Sequence, residues 1–221
     1  MTSKMLECSN RIHIASCASI LRDGGVIIYP TDTVYGIGCN PYIEESVERI
    51  FKIKGRNQNK ALPILGSNVG DIERLVHMSP IAKTLAQHFW PGPLTIVSPC
   101  IDGNISKRVT AGGEKLAVRI PSNTCTRNLI RLCKYLIGTS ANISGREPCT
   151  SSFDILNSGI SGYDVFLDGG VLVKGRESTI VDVLDSDLRI LRQGAIKTNK
   201  IYEVVSTVLS IDLRQKNKND C

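Results

Sequence analysis

The chain has 221 residues, 42% of them hydrophobic and 22% charged. That is enough to bury a core within one domain without staples. With 5% aromatic residues, including a single Trp, it lacks the stacking platforms of a single-strand nucleic-acid binder. Its net charge of +6, from 27 basic and 21 acidic residues, suits an anionic partner without selecting one.

Eight cysteines are scattered with no C-x-x-C pair, which argues against a zinc ribbon or a redox motif; most are expected to be reduced, packed thiols. His13, His77 and His88 lack metal-ligand spacing, so no protein-held zinc is expected. No charged-start, apolar-middle segment opens the sequence. The one long stretch without Asp, Glu, Lys or Arg, 84–101, is broken by Trp90-Pro91-Gly92-Pro93. The expectation is a cytoplasmic protein with no membrane contact.

Apolar spacing predicts a helix over Ile12–Leu21, stopped by Asp23-Gly24-Gly25 and feeding a strand Val26–Tyr29 that Pro30 ends. Thr31-Asp32-Thr33 therefore falls in the loop beyond a strand's C-terminal end, where open α/β sheets hold ligands. Glu44–Lys54 is an amphipathic helix with Val47, Ile50 and Phe51 inward, leaving Lys54 and Arg56 at its C-terminal end. Leu62–Leu65 reads as a strand, and Ser79-Pro80 as the cap and first turn of a helix reaching Phe89. A turn at Trp90-Pro91-Gly92-Pro93 precedes a strand Leu94–Val97.

Leu116–Ile120 is a further strand, Thr126–Lys134 a helix, and Leu136–Gly138 the strand that delivers Ser140-Ala141-Asn142. Val165–Leu167, Thr179–Leu184 and Leu188–Leu191 complete the strands, the last two as a hairpin across Asp185-Ser186-Asp187. A final helix is expected over Asn199–Leu209, followed by a polar, disordered tail from Arg214 to Cys221. Long crossovers alternate with tight turns, so the fold class is α/β: one twisted sheet, partly parallel and partly antiparallel, covered by helices. Residues 10–196 form the domain and 197–221 an appended helix and tail.

Four patches carry chemistry: Pro30-Thr31-Asp32-Thr33-Val34-Tyr35-Gly36, Lys54-Gly55-Arg56, Ser140-Ala141-Asn142 and Glu177-Ser178-Thr179-Ile180. Lys52, Lys54, Arg56 and Lys60 lie within nine residues free of carboxylates. They suit a polyphosphate, the arginine as a planar fork and the lysines as compact charges; a solvated helix end is the plain alternative. Thr31 and Thr33 either hold a small polar ligand or cap their own turn. Arg119, in an otherwise apolar strand, must reach solvent or find an anion, either a ligand carboxylate or an internal Asp or Glu. Asp32 could assist proton removal or cap the turn. No G-x-x-x-x-G-K-[ST] loop and no G-x-S-x-G elbow occurs.

Together with Trp90-Pro91-Gly92-Pro93-Leu94-Thr95 and Leu191-Arg192-Gln193-Gly194, these segments, from about Gly24 to Gly194, resemble the YrdC-type threonylcarbamoyl-AMP synthases. The resemblance implies a YrdC-like fold with a concave basic pocket. It also implies synthesis of threonylcarbamoyl-adenylate and pyrophosphate from L-threonine, bicarbonate and ATP. A downstream transferase then passes the threonylcarbamoyl group to a tRNA adenosine beside the anticodon, with tRNA itself a further candidate partner. Carried over by motif, Thr33, Arg119, Gly138 and Ser178 would hold threonine. Arg56, Lys60, Lys115, Ser140 and Arg192 would hold ATP, and Lys54, Arg56 and Asn142 would position the substrates. Mg²⁺ would arrive on the nucleotide. With no covalent intermediate required, catalysis rests on positioning and charge neutralisation, and segment 55–60 is expected to close over a labile carbamate.

The sequence departs from the pattern at Asn57, where many relatives have proline, and at Leu65, where some have a histidine against threonine. Both bear on amino-acid specificity. Only residues 195–221 follow Gly194, which fits the short, single-domain form. Two other readings use the same residues: a non-catalytic RNA-binding module, and an enzyme making a different carbamoyl-adenylate.

Overall fold

The computed structural model describes residues 4–173, 175–184 and 187–206. The helices form where the apolar stripe and the caps agree. The helix Arg11–Arg22 (α1) is capped by Asn10, which accepts from the Ile12 amide, and buries Ile14, Cys17, Ala18 and Leu21. Glu44–Lys54 (α2) runs to a left-handed Gly55, a conformation that favours glycine. In Pro80–Phe89 (α4) the Ser79 side chain accepts from the Ala82 amide and proline takes the first turn. Thr124–Cys133 (α5) starts under an Asn123 cap. Two short helices, Val69–Ile72 (α3) and Ser152–Asn157 (α6), were not expected; α6 begins with a reciprocal Ser151–Asp154 capping box.

The strands are Lys4–Glu7 (β1), Ile27–Tyr29 (β2), Gly36–Gly38 (β3), Ile64–Leu65 (β4), Leu94–Pro99 (β5), Lys115–Arg119 (β6), Leu136–Ile137 (β7), Thr139–Ser140 (β8), Val165–Asp168 (β9), Thr179–Leu184 (β10) and Asp187–Arg192 (β11). They form two sheets rather than the single one expected. One has the order β1-β9-β2-β3-β8 and the other β11-β10-β5-β6-β4-β7. Both are mixed: β2 runs parallel to β9 and antiparallel to β3, while β5 runs parallel to β10 and antiparallel to β6. β10 and β11 form the expected hairpin.

One buried cluster joins the sheets, with Ile28, Ile37 and Phe166 from the first and Ile64, Ile96, Val118 and Val181 from the second. A second cluster packs α1 and α5 on the first sheet through Ile14, Leu21, Ile27, Tyr29, Leu129 and Val165. This arrangement brings the end of β2, the end of β6 and the start of β10 to one place.

One expectation needs qualifying at the cysteines. Cys8, just after β1, and Cys125, in the first turn of α5, form a disulfide, while Cys17, Cys39, Cys100, Cys133 and Cys149 are free. Their 117-residue separation is invisible as a pairing until β1 docks on β9. Residues 198–206 are helical; the rest of the expected final helix, 207–209, and the tail 214–221 lie outside the described residues. Among the described residues no helix is long and apolar enough to cross a membrane.

Candidate active site

Pro30 ends β2, and the chain turns on Thr31. Its hydroxyl donates to the Val34 carbonyl (2.7 Å) and accepts from the Thr33 and Val34 amides (3.0 and 3.2 Å). Thr31 is thus the cap of its own turn. That turn presents Thr33, buried, whose hydroxyl lies 2.8 Å from that of Thr31.

Facing it is Arg119 at the end of β6, 6% exposed. Its Nε donates to the Gly92 carbonyl (3.0 Å), one Nη to Thr33 Oγ1 (3.3 Å) and the other to Asp32 Oδ1 (2.7 Å). The internal ion pair is therefore present, and Asp32 neither caps the turn nor lines the cleft: its Oδ1 also accepts from the Ser122 amide, and its Oδ2 is buried without a partner. A guanidinium has five N–H groups. Three are committed here, which leaves one on each terminal nitrogen that no hydrogen bond engages among the described residues. Burial draws the guanidinium below its ordinary pKa, with Asp32 opposing. The Trp90-Pro91-Gly92-Pro93 turn, whose first peptide bond is cis, supplies the Gly92 carbonyl that orients Arg119.

The third wall is the entry to β10. Ser178 is buried, its hydroxyl 2.8 Å from Thr95 Oγ1. Arg192, at the end of β11, lies along this segment: Nε and Nη2 donate to the Ser178 carbonyl (3.1 and 3.0 Å) and Nη1 donates to Glu177 Oε2 (2.7 Å). Gly194 permits this closeness, because a Cβ there would stand 2.3 Å from the Glu177 carbonyl oxygen. Thr33, Arg119, Gly138, Ser140, Ser178 and Arg192 line one cleft, and Tyr29, Tyr35, Leu65 and Glu177 share its wall. Leu65 presses on Gly138, where a Cβ would come within 2.6 Å of the leucine Cγ.

Lys54 stands behind this wall. It is 2% exposed, and its ammonium donates to the Ser140 and Asn142 carbonyls; its own carbonyl accepts from the Ser144 amide. The lysine clamps the Ser140–Asn142 turn from inside the protein. Burial, then the neighbouring charge of Arg56, pulls its pKa down to about 8, with Glu177 opposing. The Asn142 amide group donates to the Ile143 and Arg146 carbonyls (3.0 and 2.7 Å), facing away from the cleft.

Arg56 folds over its own loop, donating to the Ala61 carbonyl (3.0 Å) and weakly to that of Lys60 (3.4 Å). It still lies within electrostatic reach of Glu177 and Arg192. Lys60 is exposed. Lys115 is placed elsewhere: it begins the strand that Arg119 ends and pairs with Asp182 at 2.8 Å. Four residues of extended chain, about 13 Å, separate the two.

Sequence reasoning missed Glu177 as a wall residue and Asp32 as the partner of Arg119. The available signal was weak in both cases: an acid directly before a pocket serine, and an acid between two threonines.

A family model for Sua5/YciO/YrdC proteins, described as telomere recombination, matches residues 19–194. The chain is 36% identical over 205 residues to a threonylcarbamoyl-AMP synthase of Bacillus subtilis, covering 90% of this chain and 58% of that protein. The structure of Pyrococcus abyssi Sua5 complexed with L-threonine superposes with a TM-score of 0.85 at 32% identity, over 92% of this chain and 61% of that one. Escherichia coli YciO, at 22% identity and a TM-score of 0.78 over 87% of this chain and 95% of its own, shares the fold. The chain thus spans about three fifths of the synthase relatives it matches.

Proposed function

The chain belongs to the Sua5/YciO/YrdC family, and from that premise we propose that it makes L-threonylcarbamoyl-adenylate from L-threonine, bicarbonate and ATP, releasing pyrophosphate. The observation that carries the proposal is Arg119: a buried guanidinium with one N–H on each terminal nitrogen that no hydrogen bond engages among the described residues, in a cleft that Thr33 and Ser178 also line. Such a fork suits the carboxylate of an amino acid, and flanking hydroxyls suit its polar side chain. The family member from P. abyssi was crystallised with L-threonine.

In this reading Arg119 binds the substrate carboxylate. Thr33, Ser178 and the wall at Gly138 receive the rest of the amino acid. The nucleotide lies toward Ser140, Arg192 and Arg56, with Lys60 free to reach its phosphates and Lys115 outside the site. Lys54 and Asn142 act from behind by holding the turn that carries Ser140. Mg²⁺ would enter with ATP. Among the described residues no group of three His, Cys, Asp or Glu could hold a metal, so phosphates and water would supply its ligands. The chemistry needs a carbamate oxygen to attack the α-phosphorus as pyrophosphate leaves. The residues present serve it by fixing the reactants and neutralising charge. Segment 55–60 is the proposed cover for the carbamate. The product would go to a transferase acting on tRNA in the cytoplasm, a compartment whose reducing conditions would tend to open the Cys8–Cys125 bond.

Pyrophosphate release, measured with MgATP while L-threonine and bicarbonate are added separately and together and with serine as control, tests the proposal. Release that needs both is expected. Release absent from a folded sample under all conditions would overturn it and move attention to salt-sensitive tRNA binding.

A further inference from the structure

The cleft has a wall residue for which the reaction outlined above assigns no task. Among the described residues that line it, Glu177 is the single carboxylate. Asp32 is the acid paired with Arg119, but it lies outside the cleft with its Oδ1 held by Arg119 and the Ser122 amide. Glu177 is half-buried and rigidly mounted. Its backbone carbonyl accepts from the Ala195 amide (2.9 Å), and Gly194 closes on the same carbonyl. Its Oε2 accepts from Arg192 (2.7 Å), and among the described residues no hydrogen bond engages Oε1. Arg192 pairs with it, and Arg56 and the buried Lys54 lie within electrostatic reach.

An amino acid enters such a cleft as a zwitterion. With its carboxylate assigned to Arg119, its ammonium would lie in a cleft whose lining offers the cations Arg119 and Arg192 and one anion, Glu177. The ammonium is also unreactive until it loses a proton, because the nitrogen lone pair must form the new bond to carbon. We propose that Glu177 is the base that takes this proton, accepting it on the carboxylate oxygen not engaged by Arg192. The balance is simple. The ammonium N–H breaks and its proton moves to Glu177. The freed lone pair bonds to the carbon of bicarbonate, the C–OH bond breaks, and the hydroxyl leaves as water with one of the two remaining amine protons, giving the carbamate. The carbamate oxygen then bonds to the α-phosphorus of ATP as the bond to pyrophosphate breaks. The inference rests on the proposed synthase reaction and adds a residue to it.

The competing account is structural: Glu177 merely holds Arg192 flat on the Ser178 carbonyl. The two accounts predict opposite signs. E177Q keeps the shape and removes the charge, so as a lost base it lowers kcat/KM for threonine by 100-fold or more. Its affinity for ATP, measured by calorimetry without threonine, stays the same or tightens, because an anion has left the neighbourhood of Arg192, Arg56 and Lys54. E177D, the conservative variant, retains more activity than E177Q. Between pH 6.5 and 8 the E177Q rate climbs more steeply than wild type, as threonine loses the proton in solution.

Weaker ATP binding in E177Q, with threonine kcat/KM falling only in proportion, would overturn the base and leave a positioning residue. Unchanged kcat/KM would remove Glu177 from the reaction. A wild-type chain that releases no pyrophosphate would remove the synthase proposal and this inference together, whereas an active wild type with an unaffected E177Q defeats the inference alone. Melting curves for both variants confirm that each is folded before its rates are read.

Discussion

Asp32→Asn isolates the electrostatics of the cleft. The substitution keeps the side chain's size and one acceptor but removes the charge opposite Arg119, which is 6% exposed and pairs with Asp32 at 2.7 Å. Leaving one member of a buried pair uncompensated costs about 3–5 kcal/mol, a large share of the roughly 5–15 kcal/mol that holds a domain together. With a urea slope of about 2 kcal/mol/M, the unfolding midpoint should fall by about 2 M. Arg119→Met should cost a similar amount, because Asp32 then stays buried with its Oδ2 already unpartnered. The double variant should be more stable than either single one, since the charges are removed together and methionine fills much of the space. Urea titrations of the four proteins decide the matter. A D32N cost below about 1 kcal/mol, or additive costs in the double variant, would refute the reasoning.

Arg56→Ala should weaken ATP binding by roughly 1.5–3 kcal/mol, the worth of a charge-assisted contact, while leaving threonine binding alone; titration calorimetry with each ligand separates the two. Lys54 has a pKa drawn down to about 8, so its neutral form gains weight as pH rises past that value. A bound polyphosphate favours the charged form, so ATP binding near pH 8 should take up protons and weaken as pH rises further. Calorimetry in buffers of different ionisation enthalpy reads that uptake, which K54R should abolish. Gly194→Ala should cost about 1–3 kcal/mol through overpacking, because the new Cβ would stand 2.3 Å from the Glu177 carbonyl oxygen and 2.5 Å from the Ser178 carbonyl; threonine KM should rise with it. Reducing Cys8–Cys125, whose members are 117 residues apart, should lower stability by about 2–4 kcal/mol, and C8S/C125S should show the same loss with no response to reductant.

Much of the secondary structure was legible because its signals are local. α2 ends at Gly55 as its amphipathic stripe implies, Ser79-Pro80 opens α4, and the acidic turn marks the β10–β11 hairpin. β4 and β7 lie within the strands expected at Leu62–Leu65 and Leu136–Gly138, whereas the two-residue β8 and the glycine-flanked β3 carry too short a pattern to assign as strands, and α6 shows itself mainly through its cap. The division into two sheets escaped because alternation announces a strand without naming its neighbour.

The site divides in the same way. Sequence alone determined the stock of groups, namely hydroxyls after β2, an arginine in an apolar strand, cations after α2 and a serine opening β10, because residue type and local turn chemistry are written in order along the chain. Only the tertiary structure decided what each group does. Asp32 and Arg119 are 87 residues apart, and so close a pairing arises because the loop after β2 meets the end of β6 from the other sheet. Lys54 meets the Ser140 and Asn142 carbonyls through a contact spanning more than 80 residues, which makes a cation expected to face phosphate a buried clamp. Lys115, on the strand of Arg119, was carried to an ion pair with Asp182 instead of the cleft. Charge and hydrogen bonding act through space over a few ångströms, and which groups fall within that range is set by packing, not by their order in the chain.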